Sequence, residues 1–487
     1  MKKFMAMLLA LTMLLALVAC GGNNSSNNSS TSTPSTSTPS TSTPSTSTPS
    51  TPAEPAPAEP SILPANPPEK TVEIELWYCN TGNTAAYIEE MCTKFNESQS
   101  NYHVTPTYSG SYAETLTKLS ATDPSNYPDV VAQDTEGAYT VYARDEMFIP
   151  LQDFIDADDF TMPSFMGNLQ SAYSSKDGEW LAMPMGNTAA GMFYNAEILA
   201  ANGIDPDKDL ADYGAILETC RKLKAAGVEM PFGPFTSSSY ITMALTAQGL
   251  HYVDQNNGKD AVPTKSLFME GETHTATVEF FDFLQTMTRE GLMVPYGTAS
   301  KDTRALFVEG KCAVMTSFIS SFNTVNNAVN GAFEFGFKVL GPISKGATAV
   351  GACAGGGCMF VAETGREYGQ AGGWELLKWF MKDEHTAGFA MASGYMPTTK
   401  EGQQTAEYQE FIKTTFPTVQ KAIDFQAQTP ETCYNAWLPM FTDFHALCGE
   451  WYSYACNNLD KTPEEITQMY AEAVDECIEL YRLQYGL

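Results

Sequence analysis

The stretch "VEIELWYCNTGNTAAYIEEMCTKFNESQSNYHVTPTY", residues 72 to 108, sets the architecture before any motif does. "VEIELWY" (72 to 78) alternates as a half-buried strand does, and Ile88, Met91, Cys92 and Phe95 then recur at helical spacing. "YHVTPTY" (102 to 108) returns to a strand. Leu116 and Leu119 mark a short helix beyond it, and "DVVA" (129 to 132) is a third strand. The order βαβαβ predicts an α/β fold with a parallel sheet and crossover helices.

Farther along, Tyr213, Ile216, Leu217, Cys220 and Leu223 form one helical face that stops at Gly227, Val278, Phe281 and Leu284 a second, and Trp374, Leu377 and Met381 a third. Thr462-Pro463-Glu464-Glu465 combines an N-cap, a proline at the first helical position and a capping-box glutamate ahead of Ile466, Met469, Ala473 and Cys477. These stripes read as core, and none needs a cofactor.

Toward the N-terminus, Lys2 and Lys3 precede an apolar run from Phe4 to Val18 and small residues at Ala19, Gly21 and Gly22. That is the layout of a secretory signal over residues 1 to 19, too short to span a bilayer, for which about 20 apolar residues are needed. Leu17-Val18-Ala19-Cys20 resembles the lipobox of bacterial lipoproteins, in which the cysteine is acylated; on that reading Cys20 is the lipid attachment and not a catalyst. Residues 20 to 70 follow as a tether of Asn/Ser runs and near-copies of "STSTP" and "PAEPAP", with almost nothing apolar to bury. At ~3.1 Å per residue where extended, it could lift a domain on the order of 100 Å from the membrane.

The chain from Thr71 onward is long enough for two lobes. The full chain's net charge of −30 argues against nucleic acid or an anionic membrane as a direct partner. Of eleven cysteines one is Cys20; the rest show no paired metal spacing, though a bridge between Cys353 and Cys358 is conceivable. No metal and no cofactor are expected. The five histidines (His103, His251, His274, His385, His445) are isolated, and neither a nucleophile elbow nor a phosphate loop occurs. "DQNNGKD" (254 to 260) loosely follows a calcium loop but lacks the later glutamate, and is read as a solvated turn. What stands out is small polar groups and aromatics at strand-to-helix junctions: Asn80-Thr81-Gly82, Ser109 to Tyr112, Glu136, Asn187-Thr188, Ser320-Ser321 and Gly355 to Gly357. In open α/β sheets ligands bind in the crevice outside the carboxyl ends of strands.

"WLAMPMGNTAAGMFYNAEILAANGIDP" (180 to 206), "LFVEGKCAVM" (306 to 315), "GGWELLKWFMKDEHTAGFAMASGYMPTTKEG" (372 to 402) and "DKTPEEI" (460 to 466) resemble, in this order, the family 1 extracellular solute-binding proteins of ABC importers. Within that family the chain is most similar to the glycerol-3-phosphate binders and their sugar-binding relatives. The resemblance implies the two-lobed type II periplasmic-binding-protein fold, each lobe a mostly parallel sheet flanked by helices. One lobe would hold 71 to 183 plus about 355 to 400, the other 184 to 350 plus about 401 to 487. It further implies a monomeric, non-enzymatic protein that captures a small solute between the lobes and presents it to ABC permease subunits. The location expected is the outer face of a Gram-positive cell membrane, reached through the lipid alone.

Carried across residue by residue, the resemblance places ligand contacts at Tyr112, Glu136, Asn187 or Thr188, Ser320 or Ser321, Gly355, Gly356 and Tyr395, and the junction reading adds Asn80. One position departs. Where glycerol-3-phosphate binders place an arginine for the phosphate, this chain has Trp437 and Leu438, and no arginine lies between Arg366 and Arg482. A phosphate favours a fork of charged donors, whereas Trp437 offers a flat face suited to a pyranose ring. The ligand expected is therefore an uncharged mono- or oligosaccharide. The alternatives are glycerol-3-phosphate or a glycerophosphodiester, needing Lys118 or Arg144 in the cleft, and a tethered glycoside hydrolase with two carboxylates about 5 to 9 Å apart.

Overall fold

The computed structural model describes residues 61–234, 240–353 and 355–487. The signal segment, Cys20 and the tether through residue 60 lie outside the described residues. The opening stretch forms what its spacing predicts: β1 (Val72–Tyr78), a helix Gly82–Ser98 and β2 (Tyr102–Tyr108), then a helix Tyr112–Ala121 and β3 (Val130–Asp134). Ile88, Met91, Cys92 and Phe95 are the buried residues of the first helix. β1 lies between β2 and β3 and runs parallel to both. β2 is the edge of the sheet, where Pro106 is tolerated because no central ladder loses a donor.

One further strand of this sheet runs against that direction. β4 (Phe148–Ile149), β5 (Met183–Pro184) and β3 all pair antiparallel with β10 (Gly357–Ala362). In the second sheet β7 (Met230–Gly233) is parallel to β8 (Cys312–Phe318), but β6 (Ala190–Asn195) is antiparallel to β8 and to β9 (Phe335–Val339). Each sheet thus holds one reversed strand, β10 or β6, while its other strands share one direction, as the expectation of mostly parallel sheets has it. The cause is topological. β6 and β10 are each the first strand after the chain passes from one sheet to the other, so they enter at the end where β1, β3 and β8 finish.

Segments 185–189 and 340–356 carry the chain between the sheets, and 428–440 runs along their boundary before the C-terminal helices. Period two puts Met192 and Phe193 of β6 on opposite faces, and each joins a different apolar cluster. The Phe193 cluster takes in the whole first sheet together with Tyr408, Ile412 and Phe416, whose ring stacks on Phe322. The Met192 cluster is built on the helices Gly271–Arg289, Phe441–Asn457 and Pro463–Tyr485.

The last of these helices starts as its sequence predicts. The Thr462 hydroxyl accepts from the Glu465 amide at 3.2 Å, and Glu465 Oε2 accepts from the Thr462 amide at 2.8 Å. Replacing Thr462 with alanine is expected to lower stability by about 1 kcal/mol. A shifted denaturant midpoint at unchanged slope would show it.

All ten described cysteines are free thiols, Cys353 and Cys358 included, and nine are buried. They serve as small apolar residues, and burial pushes their thiols up. In the "DQNNGKD" turn Gln255, Asn256 and Asp260 are exposed, as a solvated turn requires, but Asn257 and Gly258 are buried. Among the described residues no helix is long and apolar enough to cross a membrane.

Candidate functional site

The parallel strands aim their carboxyl ends at the boundary between the sheets, so residues just past β1, β3 and β8 meet there. A cavity of about 360 Å³ lies at this place. Its first wall is the β3-to-helix junction Asp134, Thr135 and Glu136, with Tyr112 from the neighbouring helix start. Thr188 and Gly355, which form an isolated bridge between two crossing segments, supply its floor with Gly356 and Tyr395. Ser320 and Phe318 past β8, and Met243, Asn435, Phe441 and His445, close the far side.

Of the residues singled out in the sequence, Tyr112, Glu136, Thr188, Ser320, Gly355, Gly356 and Tyr395 thus face one cavity. Asn80 stands behind it and donates to the Tyr112 hydroxyl at 3.2 Å, while its own Oδ1 is buried without a hydrogen-bond partner among the described residues. Asn187 is completely buried beside Thr188. Its backbone bridges to Met396, and neither atom of its amide has a partner among the described residues. Ser321 points elsewhere, accepting from Ser317 Oγ at 3.0 Å.

Trp437 is not among the residues lining the cavity, which corrects its reading as a sugar platform. Its ring stacks on Tyr139 at 5.1 Å and 19° and tilts against Tyr142 at 5.3 Å. The helix Thr135–Tyr142 presents those two tyrosines, and a planar apolar ring is better covered there than in an open cleft. The residues the sequence reading missed are Asp134, Thr135, Met243, Phe318, Asn435, Phe441 and His445. Asp134 and Thr135 adjoin Glu136 and share its junction signal. Asn435 and His445 carry no local mark, because they reach the cavity only through the course of segment 428–440 and the helix after it.

The electrostatics of the lining are one-sided. Burial raises the Asp134 carboxyl to about 6, opposed by the Gly137 N–H that it caps at 2.7 Å. Glu136 Oε1 accepts from the Asn435 amide at 2.6 Å and lies 3.9 Å from His445 Nε2. Burial pushes His445 down to about 3, which favours its neutral imidazole beside Glu136. The Tyr395 hydroxyl lies near Tyr112 and Ser320. Burial raises both phenols, which stay protonated as donors. Among the described lining residues there is no lysine or arginine. Lys118 is spent on the Ser109 carbonyl, and Arg144 donates to the Tyr485 hydroxyl at 2.8 Å.

A larger hollow of about 510 Å³ sits on the first sheet's helices beside Phe95, Trp379 and Lys382, toward the amino end of β2, where its lining residue Gln99 accepts from the Tyr102 amide at 2.9 Å. Lys378 on its rim is already paired with Asp158 and Glu375.

Residues 90–415 match the model of a family described as bacterial extracellular solute-binding protein. The chain is 26% identical over 358 residues, 72% of its length and 79% of the other's, to the sn-glycerol-3-phosphate-binding periplasmic protein UgpB of Rhizobium meliloti (strain 1021). Among solved structures it is similar to UgpB from Mycobacterium tuberculosis in complex with glycerophosphocholine, with TM-score 0.68, 17% identity and coverage of 85% of this chain and 99% of that one. It is similar too, at TM-score 0.68 and 14% identity over 85% and 99% of the chains, to the sugar-binding protein MalE from Xanthomonas citri. At these identities the structural likeness speaks for the two-lobed fold.

Proposed function

We propose, from the premise that this chain belongs to the bacterial extracellular solute-binding proteins, that its interlobe cleft captures an uncharged mono- or oligosaccharide for delivery to an ABC permease. The observation that carries the ligand class is the lining itself. It offers hydroxyls, amides, two carboxylates and aromatic faces, but no lysine or arginine among its described residues. Sugar hydroxyls both donate and accept, and so suit Glu136, Asn435, Thr188, Ser320 and the tyrosine hydroxyls together. The unpartnered amide of Asn187 beside the cavity is the kind of group that a ligand hydroxyl or an ordered water satisfies. A phosphate would meet Asp134 and Glu136 with no opposing cation to offset its charge. Cys20 is proposed as the lipid attachment, and Asp134 and Glu136 as binding groups with no catalytic role.

The second reading is a glycerophosphate ligand, which the similarity to the UgpB proteins favours. Thermal shift of the folded domain against maltose-type, xylan-type and other oligosaccharides, beside glycerol-3-phosphate and a glycerophosphodiester, separates the two. Ligand at 100 times its dissociation constant stabilises by ~2.7 kcal/mol, a visible rise in melting temperature. A rise with a saccharide is the expected result. A rise with the phosphate compounds alone would transfer the assignment to the second reading, and release of reducing ends from any sugar would point to hydrolysis.

A further inference from the structure

Gln255, Asn256 and Asn257 stand at φ 55°, 53° and 56°, and Gly258 follows at 81°. Consecutive side-chain-bearing residues rarely occupy the left-handed region, and such backbone persists only where its surroundings over-determine it. Here the surroundings are one stretch of segment 428–440. The Trp437 amide donates to the Asn257 carbonyl at 2.9 Å, and the Tyr434 hydroxyl donates to the Asn256 carbonyl at 3.0 Å. A Cβ added at Gly258 would lie 2.3 Å from the Trp437 carbonyl oxygen, so only glycine permits this approach.

The side chain of Asn257 completes the grip. Its Nδ2 donates to the Tyr434 carbonyl at 3.2 Å, and its Oδ1 accepts from the Tyr252 amide at 3.2 Å. Residues 434 and 437 are thereby held on either side of Asn435. Tyr252 meets Asn435 directly: its hydroxyl donates to Asn435 Oδ1 at 2.6 Å and accepts from the Ala436 amide at 2.9 Å. With its one proton given to Oδ1, that hydroxyl decides which way the Asn435 amide faces. The NH₂ end is left to donate across the cleft to Glu136 at 2.6 Å.

We propose that Asn257 is a positioning residue for the ligand cleft: its amide, fixed in the left-handed turn, orients Asn435 against Glu136 and so sets the affinity for a ligand that Asn257 does not touch. This rests on the cleft being the ligand site.

The test uses Asn257→Gly, which tolerates the backbone but removes the amide, and Asn257→Asp, which keeps the acceptor for Tyr252 and loses the donor to Tyr434. Without ligand, hydrogen exchange is expected to quicken over residues 433 to 438 in Asn257→Gly, while the helices Phe441–Asn457 and Pro463–Tyr485 keep their protection. With the saccharide that shifts the wild type most, Asn257→Gly is expected to weaken binding by about tenfold, with Asn257→Asp between it and wild type. In an Asn435→Ala background the same glycine substitution should weaken binding little further, because both changes act through one amide. Unchanged exchange over 433 to 438, exchange raised throughout the domain, or fully additive losses of affinity would each overturn the proposal. If no saccharide binds the wild type, the functional reading falls, and the exchange measurement alone decides the anchoring role of Asn257.

Discussion

Gly356→Ala is expected to lower stability by roughly 3–5 kcal/mol, the sum of a strained backbone and an overpacked contact. Gly356 stands at φ 128°, and a Cβ there would lie 2.3 Å from the Gly186 carbonyl oxygen. Backbone cannot rotate aside as a side chain does, so the two crossing segments would have to separate. The Gly356 carbonyl also accepts from the Thr135 amide at 3.2 Å, and its displacement would disturb the junction that bears Glu136. Gly355 supplies the contrast. Its added Cβ would meet only Thr188, with Cγ2 at 3.3 Å. Gly355→Ala is therefore expected to stay within about 1 kcal/mol of wild type while weakening ligand binding, since its methyl enters the cavity. Chemical denaturation of both variants beside ligand titration checks the pair, and equal destabilisation by the two would refute the account.

Trp437→Ala is expected to destabilise the ligand-free protein by about 2–4 kcal/mol, near the low end for deleting a large ring because Trp437 is only half-buried. The loss comprises the stack on Tyr139 and Tyr142 and the cover over Lys259, whose ammonium lies 5.3 Å from the indole centroid. Trp437→Phe should fall within about 1 kcal/mol of wild type, since a phenyl ring keeps the stack and removes a buried N–H that has no partner among the described residues. A Trp437→Ala protein that melts like wild type but no longer binds ligand would restore the residue as a platform.

The contrast between Tyr112 and Trp437 shows how far the residues alone could be read. Tyr112, Glu136 and Gly356 sit where strands end, and strand ends follow from local alternation and helical spacing. The convergence of Tyr112 and Glu136 is then a consequence of parallel pairing among β1, β2 and β3, whereas Gly356 arrives because β10 enters antiparallel beside the end of β3. Trp437 lies in a segment without periodicity, where a large aromatic faces cleft or core according to partners that are 295 or more positions away in the chain, such as Tyr139 and Tyr142. The same distance hid Asn435 and His445.

By itself the sequence determined the elements whose signal lies within a few residues: the βαβαβ start, the buried face of the helix Gly82–Ser98 and the capping box at Thr462. In the last helix the buried face is Ile466, Tyr470, Val474 and Ile478, and Met469, Ala473 and Cys477 lie at its margin. The sequence also carried the family, through blocks of residues in a set order. Only the tertiary structure decided that β6 and β10 run against their neighbours, that Thr188, Ser320 and Asn435 look into the same space, and that Asn257 within its exposed turn is buried. Such facts depend on which distant segments share a boundary, and that is settled by burying two apolar clusters at once, a condition no single stretch of chain contains.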